Sequence, residues 1–357
     1  MTRSQLPSKL RLIAWVAMIS VAIGAVYALL TIPESGQPLA LQASSRGGLT
    51  GAAIGGLLVS LEVFLFDRPL GAALRRLPFS VHVTMKALVY LAVILFGLTL
   101  GAWAFPFPDE MGLRRQDVLF SLGVSFVFSF IFDVNRLLGQ NVLLNFVTGR
   151  YHRPRLEERV LLFIDMEGST GLAERLGPLV FHRLLNRFVT DLTEPIVGAR
   201  GEIYSYVGDE LIATWKLEQG LAEARCIAAC FDAFDAIARK APEYRREFGA
   251  VVNFRAGLHC GPLVTGEMGS VKTEIVFLGD TVNTAARIQD FCRVTGDRVL
   301  ASADLVDRLE LPQGVAKRSL GDLRLRGKGA DLALYSLTKA PQRAGAEISV
   351  SPAMGRV

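Results

Sequence analysis

Four apolar runs, about Leu10 to Ile32, Leu49 to Phe66, Val83 to Phe105 and Val118 to Phe132, fill most of the first 132 positions of this 357-residue chain. An apolar run of about 20 residues matches the hydrocarbon thickness of a bilayer, so four in succession read as a helical transmembrane bundle, the second and fourth being near the short limit. Hydrophobic residues make up 51% of the chain, too many for a water-soluble protein of this length, and the excess lies in these runs. The chain therefore divides into a transmembrane domain at 1–132, a linking helix at 133–157, a soluble domain at 158–338 and a tail at 339–357. Pro341, Gly345, Pro352 and Gly355 mark that tail as disordered.

Basic residues beside the runs set the expected orientation. Arg3, Lys9 and Arg11 precede the first run, Arg68, Arg75 and Arg76 separate the second from the third, and Arg136, Arg150, Arg153, Arg155 and Arg159 follow the fourth. The other two loops carry only Arg46, and Arg114 with Arg115. The positive-inside rule then places both termini and the soluble domain in the cytoplasm of a multi-pass inner-membrane protein. The first run is too long for a signal peptide, lacks an A-x-A-type cleavage site and is followed by further spans. Glu62 falls near the cytoplasmic end of the second run and is expected to be paired or to snorkel to the interface.

Val134, Leu138, Val142 and Phe146 recur every fourth residue after the fourth run. They make one apolar stripe on a helix that continues out of the membrane, too short for a sustained coiled coil. Cys226, Cys230, Cys260 and Cys292 all lie in the soluble part, with no CxxC pair, and read as reduced core thiols. The net charge of +5 is accounted for by membrane-proximal Arg and Lys. No basic tract interleaved with aromatics points to nucleic acid.

The soluble domain opens on Val160-Leu161-Leu162-Phe163-Ile164-Asp165, an apolar run with β-branched and aromatic members that reads as a buried strand. Gly168, Ser169 and Thr170 follow as a turn and helix start, so Asp165 sits at a strand end. The backbone N–H groups of such a turn can cradle phosphate, and a carboxylate beside them can hold the divalent ion that phosphate brings. A helical pattern runs from Thr170 through about Val197, with a break near Gly177-Pro178. The stretch from Gly201 to Val207 alternates as a strand, Gly208-Asp209 turns, and Leu211 to Trp215 returns. A hairpin paired beside the first strand would bring Asp209 close to Asp165, and two converging carboxylates can hold two divalent ions.

Further on, a helix is expected over about Leu217 to Lys240, and strands at Val251 to His259 and Glu274 to Leu278, separated by turns at Gly261 and Gly266. His259, alone in an apolar strand, reads as structural. On a helix beginning near Asp280, Asn283 and Arg287 lie four residues apart on one face. An amide there can orient a sugar or a reacting oxygen, and a guanidinium can stabilise charge on a phosphoryl group.

Four stretches in order, Phe-Ile-Asp-Met-Glu-Gly-Ser-Thr, Val-Gly-Asp-Glu-Leu, Gly-Asp-Thr-Val-Asn-Thr-Ala-Ala-Arg, and Leu-Arg-Gly-Lys-Gly before a last strand, resemble the catalytic domain of class III nucleotidyl cyclases over about Arg159 to Leu337. That resemblance implies a ferredoxin-like α/β domain acting as a head-to-tail homodimer. It implies that Asp165 and Asp209 bind two Mg²⁺ or Mn²⁺ ions per site, with Gly168, Ser169 and Thr170 cradling phosphate. Asn283 would hold the ribose of the nucleotide, Arg287 the phosphate charge, and Arg326 would stand for the family's second phosphate-binding cation, with Lys328 its neighbour. The metal ligands would come from one chain, and Asn283, Arg287 and Arg326 from the other.

The resemblance implies conversion of ATP to 3′,5′-cyclic AMP and pyrophosphate. The positions that read the purine depart from the family pattern: Ser205 stands where ATP-specific members often carry Lys, and Val276 where they carry Asp or Thr. A guanylate cyclase is thus an alternative. Tyr-Val-Gly-Asp-Glu-Leu imitates the diguanylate cyclase signature, but Val207 replaces its first Gly and the Asn283–Arg287 helix has no place in that family. A nucleotide-binding receptor without turnover is a third reading.

Overall fold

The computed structural model describes residues 6–31, 37–66, 79–106, 114–138, 149–323 and 331–339. They form two compact units, residues 1–138 and 139–357.

The first unit contains α1 (Leu6–Thr31), α2 (Gln37–Leu61), α3 (Phe79–Ala104) and α4 (Arg115–Leu138). Three segments, Leu10–Thr31, Ala40–Phe64 and Thr84–Ala104, are long and apolar enough to cross a membrane. The second is longer than its apolar run because helix continues back through Ser44, Ser45 and Arg46. The fourth run lies inside α4, whose 24 residues reach about 36 Å at 1.5 Å each but carry charged residues at both ends. Between α1 and α2 the backbones nearly touch. A Cβ added at Gly51 would lie 2.0 Å from the Ser20 carbonyl oxygen, and one added at Gly47 would lie 2.2 Å from that of Gly24. Where lipid removes the hydrophobic drive between helices, small residues at such spacing let close packing hold the pair. A single π-helical turn, Glu62–Phe66, ends α2. There Glu62 is paired: Lys86 Nζ lies 2.8 Å from its carboxylate and the Tyr90 hydroxyl donates to it.

The second unit is built on β1 (Arg155–Met166), followed by α5 (Ser169–Leu176), α6 (Pro178–Gly198), β2 (Glu202–Val207), β3 (Glu210–Lys216), α7 (Leu217–Leu221) and α8 (Arg225–Phe248). Then come β4 (Phe254–Met268), β5 (Glu274–Leu278), α9 (Asp280–Thr295), β6 (Val299–Ser302), α10 (Ala303–Val306), β7 (Val315–Leu323) and β8 (Leu332–Lys339). The mixed sheet runs β2-β3-β1-β4-β6-β8-β7, with β5 paired to β4. Its only parallel pairing among the described strands joins β4 to β6, and α9 lies between those strands in the chain.

Side chains alternate across a strand, and β1 uses both faces. Val160, Leu162, Ile164 and Met166 enter the main core with Leu184 and Phe188 of α6 and Cys226, Ile227 and Cys230 of α8. Leu161 and Phe163 point the other way, onto Ala285 of α9. Asp165 is the next odd position, so it faces the α9 side.

The break expected near Gly177-Pro178 is present, between α5 and α6, where Gly177 takes a φ of 74°, but other boundaries differ. The helix read from Leu217 is the short α7, and α8 starts only after Glu223 and Ala224 adopt φ of 55° and 49°. Strand β4 does not turn at Gly261 or Gly266 but passes through both. Those glycines serve close approach: a Cβ at Gly261 would lie 2.9 Å from Thr281 Oγ1, and one at Gly266 would lie 3.2 Å from Pro154 Cα. All four cysteines are buried free thiols. His259 is buried with Nδ1 2.7 Å from Ser302 Oγ, a structural contact. Residues 139–148 of the predicted linking stripe, Arg326 with Lys328, and the tail from 340 on lie outside the described residues.

Candidate active site

The β2–β3 hairpin closes through Gly208 and Asp209, with Val207 paired to Glu210. Gly208 takes a φ of 63°, which costs glycine nothing and would strain any other residue. Strand β3 pairs with β1 in a register that sets Glu210 opposite Asp165. One ladder therefore brings Asp165, Asp209 and Glu210 to the same end of the sheet.

Helix α9 completes the cluster from the other face. Its last turn carries Arg293, whose guanidinium donates to Asp165 Oδ2 at 2.6 Å. Asp165 is 7% exposed. Burial pushes its carboxyl above the usual range, the bond from Arg293 pulls it down, and the neighbouring charge of Asp209 pushes it up. Glu210 is pushed up to about 7, by burial first and then by Asp165, Asp290 and Asp209, against a smaller opposing pull from Arg293. Carboxylates held this close resist ionising together, and a cation between them relieves that cost.

This donor set fits a divalent ion. Among the described residues no group of three or more His, Cys, Asp or Glu side chains is arranged to hold a metal by itself. Mg²⁺, however, is usually held by one or two carboxylates, with water and substrate phosphate filling the remaining positions. Asp165 and Asp209 supply such a pair.

Next to the pair, Gly168 stands at the N-cap of α5 with φ 68° and ψ 24°. No side chain caps that helix. The backbone donors of the first turn are then left for water or an incoming anion.

Asn283 is exposed and Arg287 partly exposed, both in the first half of α9. At 1.5 Å per residue Asn283 lies about 15 Å, and Arg287 about 9 Å, along the helix from Arg293, which marks the carboxylate end. A single chain thus gathers its carboxylates at the last turn of α9 and carries Asn283 and Arg287 about two to three turns nearer the start of that helix.

Ser205 and Val276 sit on β2 and β5. The residues beside them meet: the rings of Tyr204 and Phe277 stack with centroids 4.1 Å apart, and Phe277 N donates to Tyr204 Oη at 3.0 Å. Arg159 lies 4.9 Å from the Phe277 ring centroid and pairs with Glu157 and Glu202 at 2.8 and 3.2 Å. Positions 205 and 276 are therefore on neighbouring chain segments fixed by a buried, ion-paired support.

Three residues of the cluster escape a reading of the sequence. Glu210 carries a signal, since it directly follows Asp209 at the start of a strand whose register opposes Asp165. Asp290 and Arg293 carry none, because they meet the other carboxylates only through the packing of α9.

Residues 152–339 match the model for the adenylate and guanylate cyclase catalytic domain. Adenylate cyclase 2 of Rhizobium meliloti (strain 1021) is 35% identical over 325 residues, covering 87% of this chain and 89% of that protein. The retinal guanylyl cyclase 1 of Mus musculus is 30% identical over 181 residues, 49% of this chain and 16% of its own. Among solved structures, a bacterial light-regulated adenylyl cyclase superposes with a TM-score of 0.53 at 19% identity, covering 64% of this chain and 67% of its own.

Proposed function

Because this chain belongs to the adenylate and guanylate cyclase family, we propose that it is a membrane-anchored adenylate cyclase working as a homodimer. The observation that carries the catalytic reading is the convergence of Asp165 and Asp209 beside the uncapped start of α5. ATP is the assigned substrate because the relative similar through both halves of the chain bears the name adenylate cyclase. GTP remains a second reading, since Ser205 and Val276 lack the Lys and the Asp or Thr expected for adenine, and Ser205 equally lacks the Glu usual for guanine.

In this reading Asp165 and Asp209 hold two Mg²⁺ or Mn²⁺ ions, and the N–H groups at Gly168, Ser169 and Thr170 receive phosphate oxygens. When bound, the ions lower the pKa of the ribose 3′-hydroxyl and offset charge on the triphosphate. Asn283 orients the ribose so that its 3′-oxygen faces the α-phosphorus. Arg287 donates to phosphoryl oxygens whose charge grows as the new P–O bond forms and the bond to pyrophosphate breaks. Arg326 would add a second cation for the leaving group. The length of α9 supports a site shared between two chains, with carboxylates from one and Asn283, Arg287 and Arg326 from the other.

The bundle spans the inner membrane several times, α4 counting as the fourth pass, with the termini and the cyclase domain on the cytoplasmic side. Residues 133–157 link the two domains, 158–338 form the catalytic domain, and 339–357 a tail. The test is chromatographic product analysis of the purified full-length protein given ATP or GTP, with Mn²⁺ and then Mg²⁺. Cyclic AMP from ATP is expected, lost in Asp165→Ala and Asp209→Ala and recovered when Asp209→Ala and Arg287→Ala chains are mixed. Full turnover in either Asp variant would sink the two-metal reading, and no recovery in verified heterodimers would sink the shared site.

A further inference from the structure

Residues 149–154 lead the chain into β1, and Tyr151 in that segment is buried. Its hydroxyl donates to Glu157 Oε1 at 3.2 Å and accepts from Arg159 Nη2 at 3.2 Å. Its carbonyl oxygen accepts from Glu267 N of β4 at 3.1 Å. Arg159, buried on β1, reaches further. Its Nε donates to Glu157 Oε2 at 2.9 Å and its Nη1 to Glu202 Oε2 of β2 at 3.2 Å, while the guanidinium lies over the Phe277 ring of β5. A guanidinium that close is attracted by the face of the ring.

The Phe277 ring stacks in turn on Tyr204, and β2 is irregular at that residue. Ile203 pairs with Ala213 and Ser205 with Ile212, so Tyr204 is an extra residue in a β-bulge. A bulge re-aims a side chain, and this one brings the Tyr204 hydroxyl to the Phe277 N–H. Strand β5 pairs with β4 in the sheet, and its Phe277 N–H is tied to β2 by this side chain. Adjacent side chains on a strand point to opposite faces. The stack thus fixes β5 from the face opposite Val276, and it fixes β2 at the residue before Ser205.

We propose that Arg159 and Phe277, braced by Tyr151, are positioning residues that set the purine preference of this chain by holding Ser205 and Val276 in register. The inference rests on the assignment of those two positions to the base, made above from the family resemblance. Neither Ser205 nor Val276 carries the long or charged side chain that would select a base by itself, so preference depends on where the backbone of β2 and β5 places them. Tyr151 joins that support to the segment by which the chain enters the domain.

Competition of the α,β-methylene analogues of ATP and GTP against a fluorescent ribose-labelled ATP, with Mn²⁺ and the purified full-length protein, reads base preference without turnover. Wild type should bind the adenine analogue more tightly. Phe277→Leu, which removes the stack, and Arg159→Gln should each lower that preference about fivefold, the scale of one lost aromatic contact. Phe277→Tyr, which keeps the ring, should retain it. If Arg159→Gln fails to fold, Tyr151→Phe, which keeps every charge and ring, should still lower the preference. Ile237→Ala in the main core should lower stability and leave the preference unchanged, which a merely structural role of the support would not predict. Equal binding of both analogues by wild type, an unchanged preference in Phe277→Leu, or the same loss in Ile237→Ala would each overturn the proposal. Ser205→Lys combined with Val276→Asp, the pair expected for adenine, should raise the preference. If it does so while Phe277→Leu changes nothing, only the positioning role fails; if neither changes the preference, the assignment of positions 205 and 276 to the base fails with it.

Discussion

Replacing Arg293 by Ala removes the guanidinium that donates to Asp165 at 2.6 Å. Asp165 is buried, but the Arg293 side chain is 57% exposed, so water screens the pair. Exposed ion pairs contribute about 0.2–1 kcal/mol, and the buried acceptor puts this one at the upper end, about 1 kcal/mol. A divalent ion that takes Asp165 as ligand competes with this pair for the carboxylate's charge, and the nearby positive charge also repels it. Both effects have the same sign, so Arg293→Ala should bind Mn²⁺ more tightly by about fivefold, the equivalent of 1 kcal/mol. The assay is calorimetric titration of Mn²⁺ into wild type and variant at fixed ionic strength with a non-reactive ATP analogue. Arg293→Lys, which keeps the charge without the planar fork, should fall between them. Unchanged or weaker Mn²⁺ binding by a folded Arg293→Ala protein would refute the reasoning, because Arg293 would then be organising the Asp165 carboxylate rather than occupying its place.

Phe188→Ala should cost about 3–5 kcal/mol and lower the melting temperature of the cyclase domain, since Phe188 is fully buried and packs edge-on against Phe254 at 6.1 Å; a shift under 1 kcal/mol would show that the core collapses into the gap. Burial pushes Cys226 and Cys292 up to about 12 and Cys260 up to about 11, and Cys230 is raised by burial too. Iodoacetamide at pH 8 should therefore label the native protein far more slowly than the unfolded one, and mass spectrometry showing equal rates would contradict it. Burial works against the ionised Asp297, yet hydrogen bonds from Ser336 and Arg318 outweigh it and hold its carboxyl below the usual range. A depressed carboxylate stabilises the fold above its unfolded pKa and loses that contribution as pH falls through the folded value. Asp297→Asn should thus destabilise more at pH 7 than at pH 3, and equal melting shifts at both would refute the linkage.

What could be read from the sequence follows from how local each signal is. The strand before Asp165, the Gly208-Asp209 turn and the start of α9 at Asp280 each depend on a few adjacent residues, and each stands where it was read. The glycines of β4 misled because glycine has two uses. At Gly208 it supplies a positive φ, whereas at Gly261 and Gly266 it makes room for Thr281 and Pro154, and only the packed structure separates the two. The break before α8 was hidden for the opposite reason: Glu223 and Ala224 adopt positive φ without a glycine to announce it. The bond from Arg293 to Asp165 joins residues 128 positions apart, which no periodicity or motif encodes.

Helix α9 ties these observations to regulation. Its middle packs on β4 and β1, with Ala285 in one core cluster and Ile288 with Cys292 in another, so the helix is positioned as a rigid unit rather than residue by residue. Its C-terminal turn holds the carboxylate of its own chain, and in the shared-site arrangement its first half serves the other chain's nucleotide. A small rotation of α9 therefore changes two sites at once: it moves Arg293 relative to Asp165 in one, and Asn283 with Arg287 in the other. If two chains share their sites in this way, an input that alters how they meet has a single helix to act through. A metal ion at Asp165 that displaced Arg293 would act on that same helix from inside the domain.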